Sequence, residues 1–172
     1  MSERISIPQK NIPKFKEVLL YVLEKVGAFP NVGETVLNKL LYFIDFDHYE
    51  RFEEQLIGAT YIKNKHGPTP IELEHVKEEM LSQKEIKKMT ADFYGKKQKK
   101  YFPLRDPNLD VLNGNEIKTI DEVLEKHAKK NADQISDYSH RDVPWLVTKP
   151  KSPINYESVF YRTDAYSVRL NG

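Results

Sequence analysis

The spacing of apolar residues predicts two helices in the first third of the chain. Apolar positions recur at helical spacing over residues 15–26, after Asn11, which can cap a helix, and before Gly27, which can end one. A second predicted helix, from about Glu34 to Phe52, has apolar residues on more than one side. Because such a helix has to be covered by other elements, we expect it to be central and the most buried.

The next segments carry extended and turn signals. The pattern predicts a short strand or extended segment over Leu56–Lys63 and a sharp reversal over His66–Pro70. Thr69 and Glu72 have the spacing of a capping box, and proline suits the first helical position. The sequence therefore predicts a third helix from Pro70 to about Leu81.

The second half of the chain begins with a predicted hairpin. Two β-like runs, Ile86–Phe93 and Gln98–Leu104, flank a turn that contains glycine. Helical spacing then predicts a fourth helix from Asn115 to about Ala128 and a short fifth helix that starts at Asn131 or Asp133. The aromatic-rich remainder is expected to wrap back over these helices.

These elements predict a mainly α fold of the α+β class. We expect a compact helical domain around a central buried helix, with a small β-hairpin or short sheet. At 172 residues the chain can bury a sizeable core in one domain. We expect residues 1–172 to form that single domain, with a core over about residues 12–162 and a C-terminal tail over residues 163–172.

Composition and charge exclude several classes of protein. The chain has 27 Lys and Arg against 26 Asp and Glu, so overall charge indicates neither nucleic acid nor a membrane surface as a partner. It has no cysteine, which excludes disulfide scaffolds and cysteine nucleophiles and favours a reducing compartment. No apolar run has the length of a signal peptide or a membrane span. We expect a cytoplasmic protein without a membrane partner.

Four polar side chains share one stripe of the second predicted helix. Asn38, Tyr42, Asp45 and Tyr49 lie at i, i+4, i+7 and i+11, which at about 100° per residue places them close together. Buried polar groups have to be hydrogen-bonded, so we favour the interpretation that they satisfy one another and nearby backbone inside the fold. The alternative is that they face a groove that receives a partner.

The sequence shows no catalytic or metal-binding constellation. Asp45 and His48 share a side of the second helix, but the five histidines have no metal-site spacing. Ser139 and His140 lie near aspartates, as in a nucleophilic triad, but no nucleophile elbow surrounds the serine. We favour a hydrogen-bonded Ser–His pair at a helix end. We expect no enzymatic activity, no cofactor and no metal.

The predicted hairpin is strongly basic, with eight Lys or Arg residues between Lys84 and Arg105. Its aromatic and basic side chains are our candidates for binding a partner: Phe93, Tyr94, Lys96, Lys97, Tyr101 and Phe102. Three interpretations are open. The lysines can protect a solvated edge from strand pairing, attract an acidic protein, or bind nucleic acid with the aromatic rings as stacking surfaces.

Five short segments, in a specific order and spacing, carry a family resemblance. They are Lys39–Asp45, Ile57–Tyr61, His66–Pro70, Ser139–His140 followed by Trp145, and Asn155–Tyr156. Together they resemble the Panacea domain family, also called the SocA-like antitoxin domain and formerly a domain of unknown function, over roughly residues 12–162. The motif residues singled out by this resemblance are Lys39, Tyr42, Asp45, Gly58, Tyr61, Gly67, Pro68, Ser139, His140 and Trp145.

The resemblance implies a mostly helical antitoxin of a prokaryotic or phage toxin–antitoxin system, which neutralises its cognate toxin by direct protein–protein binding. The family neutralises unrelated toxin classes, including translation-inhibiting, alarmone-synthetase-like enzymes. Relatives also include phage-associated proteins of unassigned role and adaptors that deliver a toxin to a protease. Many members carry an extra N-terminal DNA-binding domain, whereas the resemblance here starts near residue 12, so we do not expect this chain alone to bind nucleic acid.

The motif residues indicate structural roles. Gly58 can relax a strand end, Gly67 escapes the restriction imposed before Pro68, and Thr69 can cap a helix. We therefore expect the toxin-facing residues to lie outside the motifs. Between the basic hairpin and the polar stripe, we favour the hairpin.

Two other functions carry clear structural requirements. A hydrolase would need Asp45, His66 and His140 to converge in one pocket with shifted pKa values. A nucleic-acid-binding module would need the hairpin lysines to form one continuous positive face.

Overall fold

The computed structural model describes residues 4–169 and confirms the α+β class. The α-helices are α1 (Ile12–Val26), α2 (Glu34–Phe52), α3 (Leu73–Ser82), α4 (Gly114–His127), α5 (Ala132–His140) and α6 (Val143–Leu146). The strands are β1 (Tyr61–Asn64), β2 (Gly67–Pro70), β3 (Ile86–Phe93) and β4 (Lys96–Pro103). Short 3₁₀-helices span Leu109–Val111 and Tyr156–Tyr161. Strands β1 and β2 form one antiparallel pair, and β3 and β4 form another.

Helix α2 is the centre of the fold, as its apolar coverage predicts. From Val36 to Glu50 every residue is buried except Asn38 and Asp47, which are half-buried. Helices α4 and α5, strand β2 and the second 3₁₀-helix all pack against α2. Tyr42, Asp45 and Tyr49 of the polar stripe are therefore enclosed by neighbouring elements.

The helix N-termini follow their capping residues. The Asn11 side chain accepts a hydrogen bond from the Lys14 N–H at the start of α1. Asn113 and Glu116 form a capping box on α4, and Asn131 forms one on α5 with Gln134. Helices α1, α2, α4 and α5 thus lie within a residue or two of their predicted positions.

The prediction of a third helix that starts at Pro70 and is capped by Thr69 is wrong. Residues 67–70 form β2 instead, and Tyr61 pairs with Pro70 across the two strands. The Glu72 carboxylate accepts a hydrogen bond from the Thr60 N–H, 2.8 Å away, so it does not complete a capping box with Thr69. Helix α3 starts only at Leu73. The predicted reversal over His66–Pro70 is likewise confined to the turn at residues 65–66.

The C-terminal segment returns over the helices, as predicted. The Ile154 N–H donates to the Tyr61 carbonyl at 2.7 Å, and Tyr156 is 1% exposed. Part of the predicted tail also packs on the core, because the Val168 N–H donates to Glu50. Residues 170–172 of that tail lie outside the described residues. Over residues 4–169, none of the helices combines the length and the apolar character needed to cross a bilayer.

Candidate functional site

Asp45 is the centre of a buried hydrogen-bond network between α2 and the segment that follows it. Its carboxylate accepts from the backbone N–H groups of Ile57, at 2.7 Å, and Gly58, at 3.1 Å. The Tyr61 hydroxyl lies 2.7 Å from the second carboxylate oxygen. Burial raises the pKa of Asp45, and these hydrogen bonds oppose that increase. Asp45 therefore fixes the backbone after α2. Because the N–H groups of residues 57–59 point to its carboxylate, they do not take part in strand pairing, and β1 starts only at Tyr61.

A second network joins α2 to the C-terminal part of the chain through Arg162. The Arg162 guanidinium contacts both carboxylate oxygens of Asp142, at 3.0 and 2.8 Å. It also contacts Asp47 at 2.8 Å and Glu50 at 3.0 Å. The Tyr42 hydroxyl donates to Asp142 at 2.8 Å. Burial disfavours the charge of Arg162, but Asp47 and Asp142 outweigh this and raise its pKa.

These contacts decide between the two interpretations of the polar stripe. Tyr42 and Asp45 are fully buried, and the Tyr49 hydroxyl donates to Glu157 at 2.8 Å. Three of its four residues, Tyr42, Asp45 and Tyr49, are thus satisfied internally, so the stripe does not form an open groove along these three; Asn38 is half-buried. Sequence reasoning missed Arg162, which pairs with Asp47, Glu50 and Asp142. The signal that could have found it is the requirement that buried carboxylates be paired with a cation or hydrogen-bond donors.

Lys39, Gly67, Ser139 and His140 come together on another side of α2. Lys39 is 2% exposed, and burial lowers its pKa to about 8. A Cβ atom on Gly67 would lie 2.2 Å from the Lys39 Cε and 3.1 Å from the Ser139 Oγ. The His140 ring stacks on Trp145 at 4.5 Å between centroids, and burial and Lys39 lower the pKa of His140. Five of the motif residues, these four and Trp145, therefore form one packed cluster.

This cluster lacks the geometry of a nucleophilic site. The Ser139 hydroxyl donates to the Ser136 carbonyl at 2.8 Å, so the predicted Ser139–His140 hydrogen bond is not formed. The carboxylate of Asp45 is occupied by residues 57–61 and does not join His66 and His140, as a hydrolase would require.

The region of Asp45 and His48 offers no metal site either. The His48 Nδ1 lies 2.8 Å from the Thr119 hydroxyl, on the α4 side of the helix. Among residues 4–169 there is no group of three or more His, Asp or Glu residues placed to hold a metal ion.

The basic hairpin projects the most accessible of the candidate residues. Tyr94 and Gly95 form its two-residue turn, both with positive φ, and Tyr94 is 91% exposed. Lys96 and Lys97 are also exposed, whereas Phe93 and Phe102 are half-buried. These side chains are within reach of a partner.

Tyr101 has to be removed from the predicted partner-binding set. Its side chain is 5% exposed, and the Lys77 ammonium lies 4.8 Å from the centre of its ring. Lys100 is also buried and donates to the carbonyls of Phe29 and Val32, at 2.7 and 2.8 Å. The base of the hairpin is thus anchored in the core through both residues.

The hairpin lysines are divided between its two faces. Side chains directly opposite in the register share a face, so Lys87, Lys96 and Lys100 lie on one side. Lys88, Lys97 and Lys99 lie on the other side. This arrangement does not provide the single continuous positive face that nucleic-acid binding would need.

A family model described as the SocA-like antitoxin, Panacea domain, matches residues 37–146. The match extends from α2 to the end of α6 and is narrower than the predicted range of about 12–162. It contains the Asp45 network and the Lys39 cluster. No curated protein and no solved structure gives a significant match to the chain. Because the family model covers more than half of the 172 residues, the chain belongs to the family of SocA-like antitoxins with a Panacea domain.

Proposed function

We propose that this protein is the antitoxin of a toxin–antitoxin system and neutralises its cognate toxin by direct binding, without catalysis of its own. Family membership over residues 37–146 is the observation that carries the proposal. A translation-inhibiting, alarmone-synthetase-like enzyme is one toxin class that fits the family.

The polar side chains buried along α2 are engaged inside the fold, which leaves the exposed hairpin as the candidate for binding the toxin. The Tyr42 and Tyr49 hydroxyls and the Asp45 carboxylate of α2 are engaged in internal hydrogen bonds, so they are not free to contact a partner. Stable protein complexes usually bury about 1,200 Å² or more in total and depend on a few aromatic or arginine side chains. The hairpin offers Tyr94 as such a side chain, between Phe93 and the exposed Lys96 and Lys97.

A growth assay tests this function. The product of the adjacent gene is expressed from an inducible promoter, alone or together with this chain. We expect growth arrest in the first case and normal growth in the second. Arrest that continues although the chain is present as a soluble protein would contradict the proposal.

A further inference from the structure

The hydrogen-bond pattern of the hairpin determines which backbone groups of β3 face away from β4. The two-residue turn makes Phe93 and Lys96 a hydrogen-bonded pair, and such pairs recur at every second residue of an antiparallel ladder. The Leu104 N–H donates to the Glu85 carbonyl at 2.8 Å, so residues 85 and 104 continue the series of hydrogen-bonded pairs that starts with Phe93 and Lys96. The intervening residues Lys88, Thr90 and Asp92 therefore direct their N–H and C=O groups to the outer edge of β3.

That outer edge is open. Within residues 4–169, the backbone groups of Lys88, Thr90 and Asp92 make no hydrogen bond to any other element. Four consecutive residues of β3, residues 87–90, are exposed, so both faces of the strand are accessible at this edge. An unpaired edge of this kind is a template for one more strand.

The charge of the hairpin selects the kind of strand that can pair there. Its exposed charged side chains are five lysines and one aspartate: Lys87, Lys88, Lys96, Lys97, Lys99 and Asp92. This excess of positive charge disfavours a second copy of the same hairpin and favours a segment of opposite sign. Met89, which is 47% exposed, adds an apolar contact on one face of β3.

We infer that β3 binds an extended, acidic segment of the partner protein, which adds to the hairpin as a third strand. The outward N–H and C=O groups of Lys88, Thr90 and Asp92 would supply the backbone hydrogen bonds, and the lysines would supply the charge complementarity. This inference rests on the proposed function, because the partner is the toxin.

A proline at position 90 tests the inference with little change to the hairpin itself. Thr90→Pro removes an outward N–H and adds a ring at the outer edge, and proline is tolerated at such an edge position. Thr90→Val is the matched control, because it keeps the N–H and the strand propensity. The measurement is the affinity of each folded variant for the purified product of the adjacent gene.

We expect Thr90→Pro to weaken binding about tenfold or more and Thr90→Val to stay within about twofold of the wild type. Unchanged binding by folded Thr90→Pro would overturn the inference and leave the proposed function intact. If the wild-type protein itself does not bind, the proposed function fails and this inference fails with it. A dimer of the chain alone that Thr90→Pro dissociates would also overturn it, because a second copy would then occupy the edge.

A charge reversal covers the case in which Thr90→Pro does not fold. Lys88→Glu lies on the same edge and does not restrict the backbone. We expect it to weaken binding severalfold, and more so at low salt than at high salt. Lys65→Glu, in the exposed turn between β1 and β2, is the control for net charge. Equal binding by the two variants would overturn the inference.

Discussion

Both the backbone conformation and the packing at position 67 require glycine. Its φ is +124°, a conformation that side chains disfavour, and a Cβ atom would overlap the buried Lys39 side chain. Gly58 is similar, since its φ is +77° and its N–H binds Asp45. Gly67 thus has the backbone role expected before Pro68. Gly58 instead lies in the segment between α2 and β1 and not at a strand end, so its expected role is wrong.

Replacing Gly67 with alanine should therefore destabilise the fold. We expect Gly67→Ala to lower the free energy of unfolding by roughly 1–3 kcal/mol, because it adds backbone strain and displaces Lys39. Urea unfolding followed by circular dichroism measures this change. Gly114→Ala is the control, because a Cβ there meets no atom within 4 Å and the residue is helical, so this variant should be as stable as the wild type or slightly more stable. Equal stability of the two variants would contradict this account of Gly67.

At the scale of elements, local sequence signals predict a helix or strand correctly unless the side chain that carries the signal is engaged by a residue distant in sequence. Alternation and a glycine turn were enough to predict the hairpin, and Asn caps located α1 and α5. The capping box predicted for α3 does not form because Thr60, in a different segment, binds the Glu72 carboxylate. The burial of Tyr101 was not predictable either. Lys100 and Tyr101 are adjacent in β4 and both are buried, Lys100 against the Val32 carbonyl and Tyr101 against Lys77, so burial at this end of the strand does not alternate.

Two tyrosines of the hairpin should respond differently to substitution. Tyr101→Ala removes a buried ring and should lower the free energy of unfolding by roughly 3–5 kcal/mol. Tyr94→Ala should change it by no more than about 0.5 kcal/mol, because that ring is exposed.

The same two variants separate stability from binding. In the growth assay we expect stable Tyr94→Ala to give weaker rescue than the wild type. A stable Tyr101→Ala protein that fails to rescue would instead mean that Tyr101 contacts the toxin.

At the scale of the whole molecule, buried polar groups tie distant parts of the chain together. Arg162 links the C-terminal segment to α2 and to Asp142 at the start of α6, and Asp45 links α2 to residues 57–61. The sequence could indicate that Asp45 has to be paired, but not with which groups. Such pairing depends on the tertiary fold, which local patterns do not encode.

Two buried histidines make the free energy of unfolding depend on pH. Burial lowers the pKa of His48 to about 4 and that of His127 to about 2, whereas a histidine in the unfolded chain titrates near about 6.5. Below that value the unfolded chain takes up protons that the folded protein does not, so stability falls as pH decreases. Asp47, whose pKa is raised to about 6 by burial, acts in the opposite direction and offsets part of this loss.

We expect the free energy of unfolding to be about 2 kcal/mol lower at pH 5.5 than at pH 7.5. His127→Asn should reduce this difference by about 1.4 kcal/mol, because one titrating group is lost. His75→Gln, which removes an exposed histidine of α3, is the comparison variant. Urea unfolding at the two pH values gives the comparison, and an unchanged difference in His127→Asn would show that His127 does not contribute.

Neutralisation of the toxin by direct binding is tested most directly by a titration with purified proteins. The activity of the adjacent gene's product is measured against increasing amounts of this chain, and the mixtures are analysed by size-exclusion chromatography with light scattering. We predict a stable complex and complete inhibition at a fixed stoichiometric ratio. Absence of a complex, or inactivation of excess toxin by a substoichiometric amount of the chain with a change in the toxin's mass, would contradict the account.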